Sequence, residues 1–295
     1  MLDVDGVTRT YGETKAVDEV SFTVPPGAMV GFVGGNGAGK TTTMRMIMGI
    51  LAPDRGVVRW HGEELTQAIR TRFGYMPEER GLYPKQPTLD QLVYLGRLHG
   101  MSQAEATARV SELLERFGLG ERMHDKVETL SLGNQQRAQI IAAVLGDPIA
   151  LILDEPFSGL DPAAVDQMSA LLREYTSTGV PVLFSSHQLD LVDRLCDSIV
   201  VLHQGKVVAA GTSEELRNTG HVRYRLSVGQ DAGWLRQYDG VRVIDIDGEV
   251  ALVELQPGTE QAAQDLLKQA LGHGPVREFS RVIPSLSEVY RQVAA

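Results

Sequence analysis

Met29-Val30-Gly31-Phe32-Val33-Gly34-Gly35-Asn36-Gly37-Ala38-Gly39-Lys40-Thr41-Thr42 decides the fold. Its first five residues are a short apolar run, the pattern of a buried strand. Gly34 to Thr41 then matches G-x-x-x-x-G-K-[ST], and beyond it Met44, Ile47, Met48 and Leu51 recur at helical spacing. Between a strand and a helix, such glycines let the backbone curl until successive N–H groups point inward at phosphate oxygens. The helix N-terminus adds partial positive charge. Gly34, Gly35, Asn36, Gly37, Ala38, Gly39, Lys40, Thr41 and Thr42 are therefore the candidate phosphate-binding residues. Lys40 can reach β- and γ-phosphates as a mobile charge, and the Thr41 hydroxyl can ligate Mg²⁺.

A second half-site is expected at the end of a neighbouring parallel strand. Leu151-Ile152-Leu153-Asp154-Glu155 supplies it. Asp154 is placed to hold Mg²⁺, and Glu155, just beyond the strand, to polarise an attacking water. Further outward, apolar runs at 150–153 and 182–184 alternate with helical patterns at 138–145 and 168–175, as in a parallel sheet. The segment 21–24, ending at Pro25-Pro26-Gly27, points to antiparallel strands near the N-terminus.

Thr88 with Gln91 and Ser102 with Glu105 each have capping-box spacing. Val110, Leu113, Leu114 and Phe117 line one face of a helix that Gly118 would stop. A helical insert is thus expected over about 73–125, extending toward 145. Gln204-Gly205 reads as a hairpin turn, and the polar stretch from Arg217 to Gly220 sets off a tail. Within the tail, strands are expected at 224–228, 241–246 and 250–255, the last two joined by Asp247-Gly248, and a helix from about 260 to 271. The expected architecture is α/β: a P-loop core with a mixed sheet and helical insert over 1–220, and a small C-terminal α+β domain over 221–295.

Of the 295 residues 43% are hydrophobic, enough for a sizeable core, and the formal charge is −10. With no run of Lys and Arg, that balance argues against a nucleic-acid partner. Cys196, the single cysteine, excludes an intramolecular disulfide; set among Leu191, Val192, Leu195 and Ile199, it is expected in the core. There is no signal-peptide pattern and no apolar stretch of about 18 to 20 residues, so a membrane role would need another chain as anchor.

Over residues 2–217 the sequence resembles the nucleotide-binding subunits of ABC transporters. Leu130-Ser131-Leu132-Gly133-Asn134-Gln135-Gln136-Arg137 is similar to the family's signature motif, normally LSGGQ, with Leu132 in place of the first glycine and Asn134 in place of the glutamine. The resemblance implies that Ser131 and Gly133 contact the nucleotide held by an opposing ATP-binding subunit, so that a dimer sandwiches two ATP. Ser185-Ser186-His187 is similar to the switch-histidine motif, which implies contact between His187 and the γ-phosphate. Tyr11 holds the place of an aromatic ring presented to adenine, a stacking contact worth on the order of 1 to 3 kcal/mol. Ser158-Gly159-Leu160-Asp161 resembles the loop that links the two sites, with Gly159 where alanine is common.

Phe73-Gly74-Tyr75-Met76-Pro77-Glu78 is similar to a segment that ends in a metal-reading glutamine facing the membrane subunit. Here Glu78 stands in that place; its carboxylate accepts hydrogen bonds but cannot donate them as an amide does. The continuation Glu79-Arg80-Gly81-Leu82-Tyr83-Pro84 and the tail segment Pro284-Ser285-Leu286-Ser287-Glu288-Val289-Tyr290 resemble a subgroup of sodium-extruding and multidrug-type exporters.

The resemblance implies ATP hydrolysis by in-line attack of water, with ATP and Mg²⁺ as cofactors. It assigns catalytic roles to Lys40, Glu155 and His187, and metal ligation to Thr41, Asp154 and Glu78. An integral-membrane permease is the implied partner, with this chain peripheral on the cytoplasmic face of the membrane. Two alternatives stay open. One is a soluble ABC ATPase outside transport, against which a single core without heptads counts. The other is a nucleotide-gated module without turnover, against which Glu155 and His187 count.

Overall fold

The computed structural model describes residues 1–79, 81–218, 222–255 and 260–293. Arg80 of the exporter-like motif and residues 219–221, across the expected domain boundary, lie outside the described residues. The chain divides into two compact units, Met1–Gly211 and Thr212–Ala295.

In the first unit β1 (Leu2–Tyr11) and β2 (Thr14–Val24) pair antiparallel, and β3 (Met29–Val33) leads through the glycine loop into α1 (Lys40–Ile47). With β4 (Arg55–Trp60) and β5 (Glu63–Glu64), an antiparallel sheet forms in the order β2-β1-β4-β5. Then come α2 (Gln67–Arg70), β6 (Phe73–Met76), α3 (Thr88–Leu98), α4 (Gln103–Arg116) and α5 (Leu132–Val144). The unit ends with β7 (Ala150–Leu153), α6 (Pro162–Ser177), β8 (Val182–Ser186), α7 (Leu189–Leu195), β9 (Ser198–His203) and β10 (Lys206–Gly211). The second sheet has the order β10-β9-β3-β8-β7-β6 and is parallel except where β10 meets β9, which makes it the expected mixed sheet.

Every residue of β3, β7 and β8 is buried, as strands covered on both faces require. Phe22 of the antiparallel sheet meets Phe32 of the other with ring centroids 5.0 Å apart, and α1 adds Met44 and Ile47 to the same cluster. Burying a side chain of this size contributes about 1.5 to 3 kcal/mol. That cluster fixes the helix, and with it the glycine loop, against both sheets.

Residues 73–76, counted with the insert on the sequence, form β6 and pair in parallel with β7, so the insert begins after them. Four residues containing a glycine are too few to show a strand period; the neighbouring strand decides their state. In α4 the capping box forms as expected: the Ser102 hydroxyl accepts from the Glu105 N–H at 3.2 Å, and Glu105 accepts from the Ser102 N–H at 2.8 Å. Gly118, with φ of 69°, follows α4, and the Gly118 and Leu119 N–H groups reach the Glu115 and Leu114 carbonyls. That is the left-handed ending a glycine permits.

The capping box expected at Thr88 and Gln91 does not form. The Thr88 hydroxyl donates to the Asp125 carbonyl at 3.0 Å, and the Gln91 amide bonds both the N–H and the carbonyl of Tyr83. Both side chains are buried, and backbone groups of the neighbouring loops take up their hydrogen bonds. Cys196 follows α7 and is partly accessible as a residue, but its thiol packs toward Gly31 of β3, where desolvation pushes it well above the usual range.

The second unit contains α8 (Ser213–Asn218), β11 (Val222–Val228), β12 (Val241–Asp247), β13 (Val250–Leu255), α9 (Glu260–His273), β14 (Val276–Val282) and α10 (Leu286–Val293). Its antiparallel sheet runs β12-β13-β11-β14 over a core that includes Leu226, Val253 and Leu266. The sequence pattern missed β14 because Arg277, Glu278 and Arg281 break its apolar run. Pairing creates that strand: Phe279 lies opposite Leu226, and its ring stacks on Tyr224 at 4.8 Å.

Candidate nucleotide site

The loop after β3 curls as the motif demands. Gly39 has φ of 103°, and a Cβ there would come within 2.5 Å of the Ala16 carbonyl oxygen, so glycine is required twice over. Gly39 also caps α1 without any side-chain hydrogen bond, which leaves the first-turn N–H groups open to a ligand. Lys40 is buried, and its Nζ donates to the Gly34 carbonyl at 2.7 Å and the Gly35 carbonyl at 3.2 Å. The ammonium is thereby held over the mouth of the loop.

A cavity of about 380 Å³ opens there, lined by Ala16, residues 36–42, Glu78, Asp154 and Glu155. Asp154, only 1% exposed, follows β7, and Ser185 ends up beside it because Leu153 pairs with Phe184. The Ser185 hydroxyl donates to Asp154 Oδ1 at 2.5 Å and accepts from the Glu155 N–H at 2.8 Å. Glu155 adopts φ of 53°, a left-handed conformation unusual for glutamate, and its carbonyl accepts from Gln136 Nε2 at 2.9 Å. Its carboxylate Oε2 lies 3.1 Å from His187 Nδ1. Burial raises the Glu155 pKa above the ordinary carboxylate value, opposed by the nearby His187 and by the charge of Lys40.

The oxygen donors present suit a hard cation. Asp154 Oδ2 is buried without a hydrogen-bond partner, and the Thr41 hydroxyl donates to Glu78 Oε2 at 3.2 Å. Among the described residues no three His, Cys, Asp or Glu side chains could form a metal cage. Mg²⁺ does not need one, since it is commonly held by one or two carboxylates together with substrate phosphates.

Ten of the expected site residues line the cavity: Asn36, Gly37, Ala38, Gly39, Lys40, Thr41, Thr42, Glu78, Asp154 and Glu155. Gly34 and Gly35 join them through Lys40, and His187 through Glu155. Tyr11, Ser131 and Gly133 do not line it. Tyr11 is 51% exposed at the end of β1, with the Arg9 guanidinium 5.2 Å from its ring. Ser131 caps α5, accepting from the Asn134 N–H at 3.3 Å, and a Cβ on Gly133 would lie 3.5 Å from Leu160. The signature-like segment therefore packs beside the 158–161 loop. Ser185 and Gln136 lie within the motifs, but the sequence assigns neither a role; the signal for Ser185 is a hydroxyl directly after the apolar run of β8.

The acidic pair follows β7, which is not the neighbour of β3 expected from the sequence, because β8 is inserted between them. A strand, glycine loop and helix facing two acidic residues beyond the end of such a parallel strand define a P-loop nucleotide-binding domain. The chain belongs to the ATP-binding proteins of ABC transporters. Residues 17–158 match the ABC transporter family, and residues 211–294 match the C-terminal domain of ATP-binding proteins like DrrA1-3. An uncharacterized ABC transporter ATP-binding protein of Bacillus subtilis, YhaQ, is 41% identical over 98% of this chain and 97% of its own length. The daunorubicin/doxorubicin resistance ATP-binding protein DrrA of Streptomyces peucetius is 33% identical over 98% of this chain and 91% of its own. A dimeric structure of MJ0796, a bacterial ABC transporter cassette, superposes with a TM-score of 0.66 at 26% identity, covering 72% of this chain and 98% of that one. Among the described residues no helix is long and apolar enough to cross a membrane.

Proposed function

We propose that this chain hydrolyses ATP between two ATP-binding subunits and drives export through a separate membrane-spanning subunit. The observation that carries the reading is Glu155, poised at the mouth of the phosphate loop between His187 and the Lys40 cavity. Its desolvated carboxylate is a base of raised pKa, suited to accept a hydrogen bond from water and orient it toward the γ-phosphate. General-base help of this kind contributes about 10² to 10⁴ in rate. Lys40 exchanges the Gly34 and Gly35 carbonyls for phosphate oxygens, and His187 both steadies Glu155 and faces the γ-phosphate. Thr41, Asp154 and Glu78 would hold Mg²⁺, which would supply neutralisation of charge on the phosphate oxygens.

Ser131 and Gly133 lie outside the cavity of their own chain, so they serve a nucleotide only if a second subunit brings them to it. The dimeric cassette among the structural relatives supports that arrangement, and the drug-resistance name of the Streptomyces relative supports export. Tyr11 stacks on the adenine. The membrane subunit grips the insert, where Tyr83 and Tyr94 are exposed on a groove of about 570 Å³, and holds the chain at the cytoplasmic face of the membrane.

Glu155→Gln tests the reading. Magnesium-dependent phosphate release should fall by about 10² or more while nucleotide binding persists, and ATP should trap a dimer visible by size-exclusion chromatography. Phosphate release at the wild-type rate would overturn it.

A further inference from the structure

We propose that Ser185 is a positioning residue of the hydrolytic site, because one hydroxyl fixes the metal-binding Asp154 and the base Glu155 relative to each other. The inference rests on the hydrolytic function proposed above. Ser185 is fully buried at the end of β8. Its proton goes to Asp154 Oδ1 and its lone pair accepts the Glu155 N–H. Satisfying Oδ1 leaves Oδ2 as the unpaired oxygen of a buried carboxylate, the atom available to a cation. Holding the Glu155 N–H anchors a peptide whose φ of 53° glutamate would not adopt unaided, and Gln136 anchors the same residue's carbonyl.

Strand geometry adds a second constraint. Residues two apart on a strand share a face, so β8 presents Ser185 and, just past its end, His187 toward the same acidic pair. Ser186, between them, instead accepts from the Gln188 N–H at 3.0 Å and takes no part. Metal oxygen, base backbone and base carboxylate are thus set from one strand end.

The test compares wild type with Ser185→Ala, Ser185→Thr and Glu155→Gln. Steady-state phosphate release is one readout. The other is Mn²⁺ titrated by electron paramagnetic resonance with a non-hydrolysable ATP analogue, which needs no turnover. Ser185→Ala should lower kcat about 10- to 100-fold, leave KM for ATP unchanged and weaken Mn²⁺ binding about tenfold, the usual range for removing an outer-shell partner of a metal ligand. Ser185→Thr restores the hydroxyl and should recover most of both. Should the alanine variant fail to fold, Ser185→Cys, a weak donor of similar size, gives the same contrast. Wild-type kcat and Mn²⁺ affinity in the alanine variant would overturn the proposal, as would a folded threonine variant with no recovery. If Glu155→Gln itself turns over normally, the hydrolytic function fails, and that outcome is distinguishable from failure of Ser185 alone.

Discussion

Gly74→Ala is a substitution whose cost can be worked from geometry. Gly74 sits in β6, and a Cβ built there runs into the backbone carbonyl oxygen of Ala143, near the end of α5, and lies 2.6 Å from Leu151 Cδ2. The leucine could rotate, but the carbonyl can retreat only if α5 lifts off the sheet. Overpacking of this sort costs typically about 1 to 3 kcal/mol, and a backbone obstacle places this case in the upper half. In a unit of this size each kcal/mol lowers Tm by about 2 to 4 °C, so the first unit should melt about 4 to 12 °C lower. Because Gln136 on α5 holds the Glu155 carbonyl, turnover of the folded variant should fall as well. Differential scanning calorimetry reads the melting, with Gly272→Ala in α9 as a control: nothing lies within 4 Å of a Cβ there, and alanine favours the helix. An unchanged first-unit Tm for Gly74→Ala would refute the claim that a glycine is what lets α5 lie on β6.

Lys40→Ala should weaken binding of a fluorescent ATP analogue while leaving the fold intact, because the lysine's two hydrogen bonds go to loop carbonyls that solvent can reach once it is gone; unchanged affinity would exclude phosphate contact. Turnover should also depend on pH through Glu155. Its pKa is raised, chiefly by burial, so activity should be lost as pH falls through a value above that of an ordinary glutamate, about 4.3. His187 lowers that pKa, so His187→Ala should move the acidic limb of the rate profile to higher pH, and a limb that stays put would separate the histidine from the base. For stability the same shift has the opposite sense: a carboxyl with a raised folded pKa favours the fold at low pH, and that contribution is lost as pH rises through the raised value.

The phosphate loop was legible in the sequence because its chemistry is local. Gly34 to Thr41 carries its own turn, and the flanking strand and helix announce themselves by period within a few residues. Asp154 and Glu155 were legible for a related reason: an apolar strand that ends in two acids has few other uses. The insert helices showed their faces, and the Ser102 box formed as its spacing indicated. Thr88 and Gln91 had the same spacing, but the 83–86 and 125 loops claimed their hydrogen bonds. A capping motif states what a helix end could do, and tertiary neighbours decide whether it does.

What the sequence determined, then, is the set of chemical groups and the short-range turns that carry them, since both depend on residues within one or two helical turns of each other. Tertiary structure decided which of those groups meet. The parallel register of β7 and β8 sets Ser185 between Asp154 and Glu155, a contact 30 residues apart along the chain that no local period encodes. The same holds for β14, whose charged residues hide a strand until Phe279 finds Leu226 across the pair. Strand pairing depends on hydrogen bonds and side-chain contacts between distant segments, so it exists only once the chain has closed on itself.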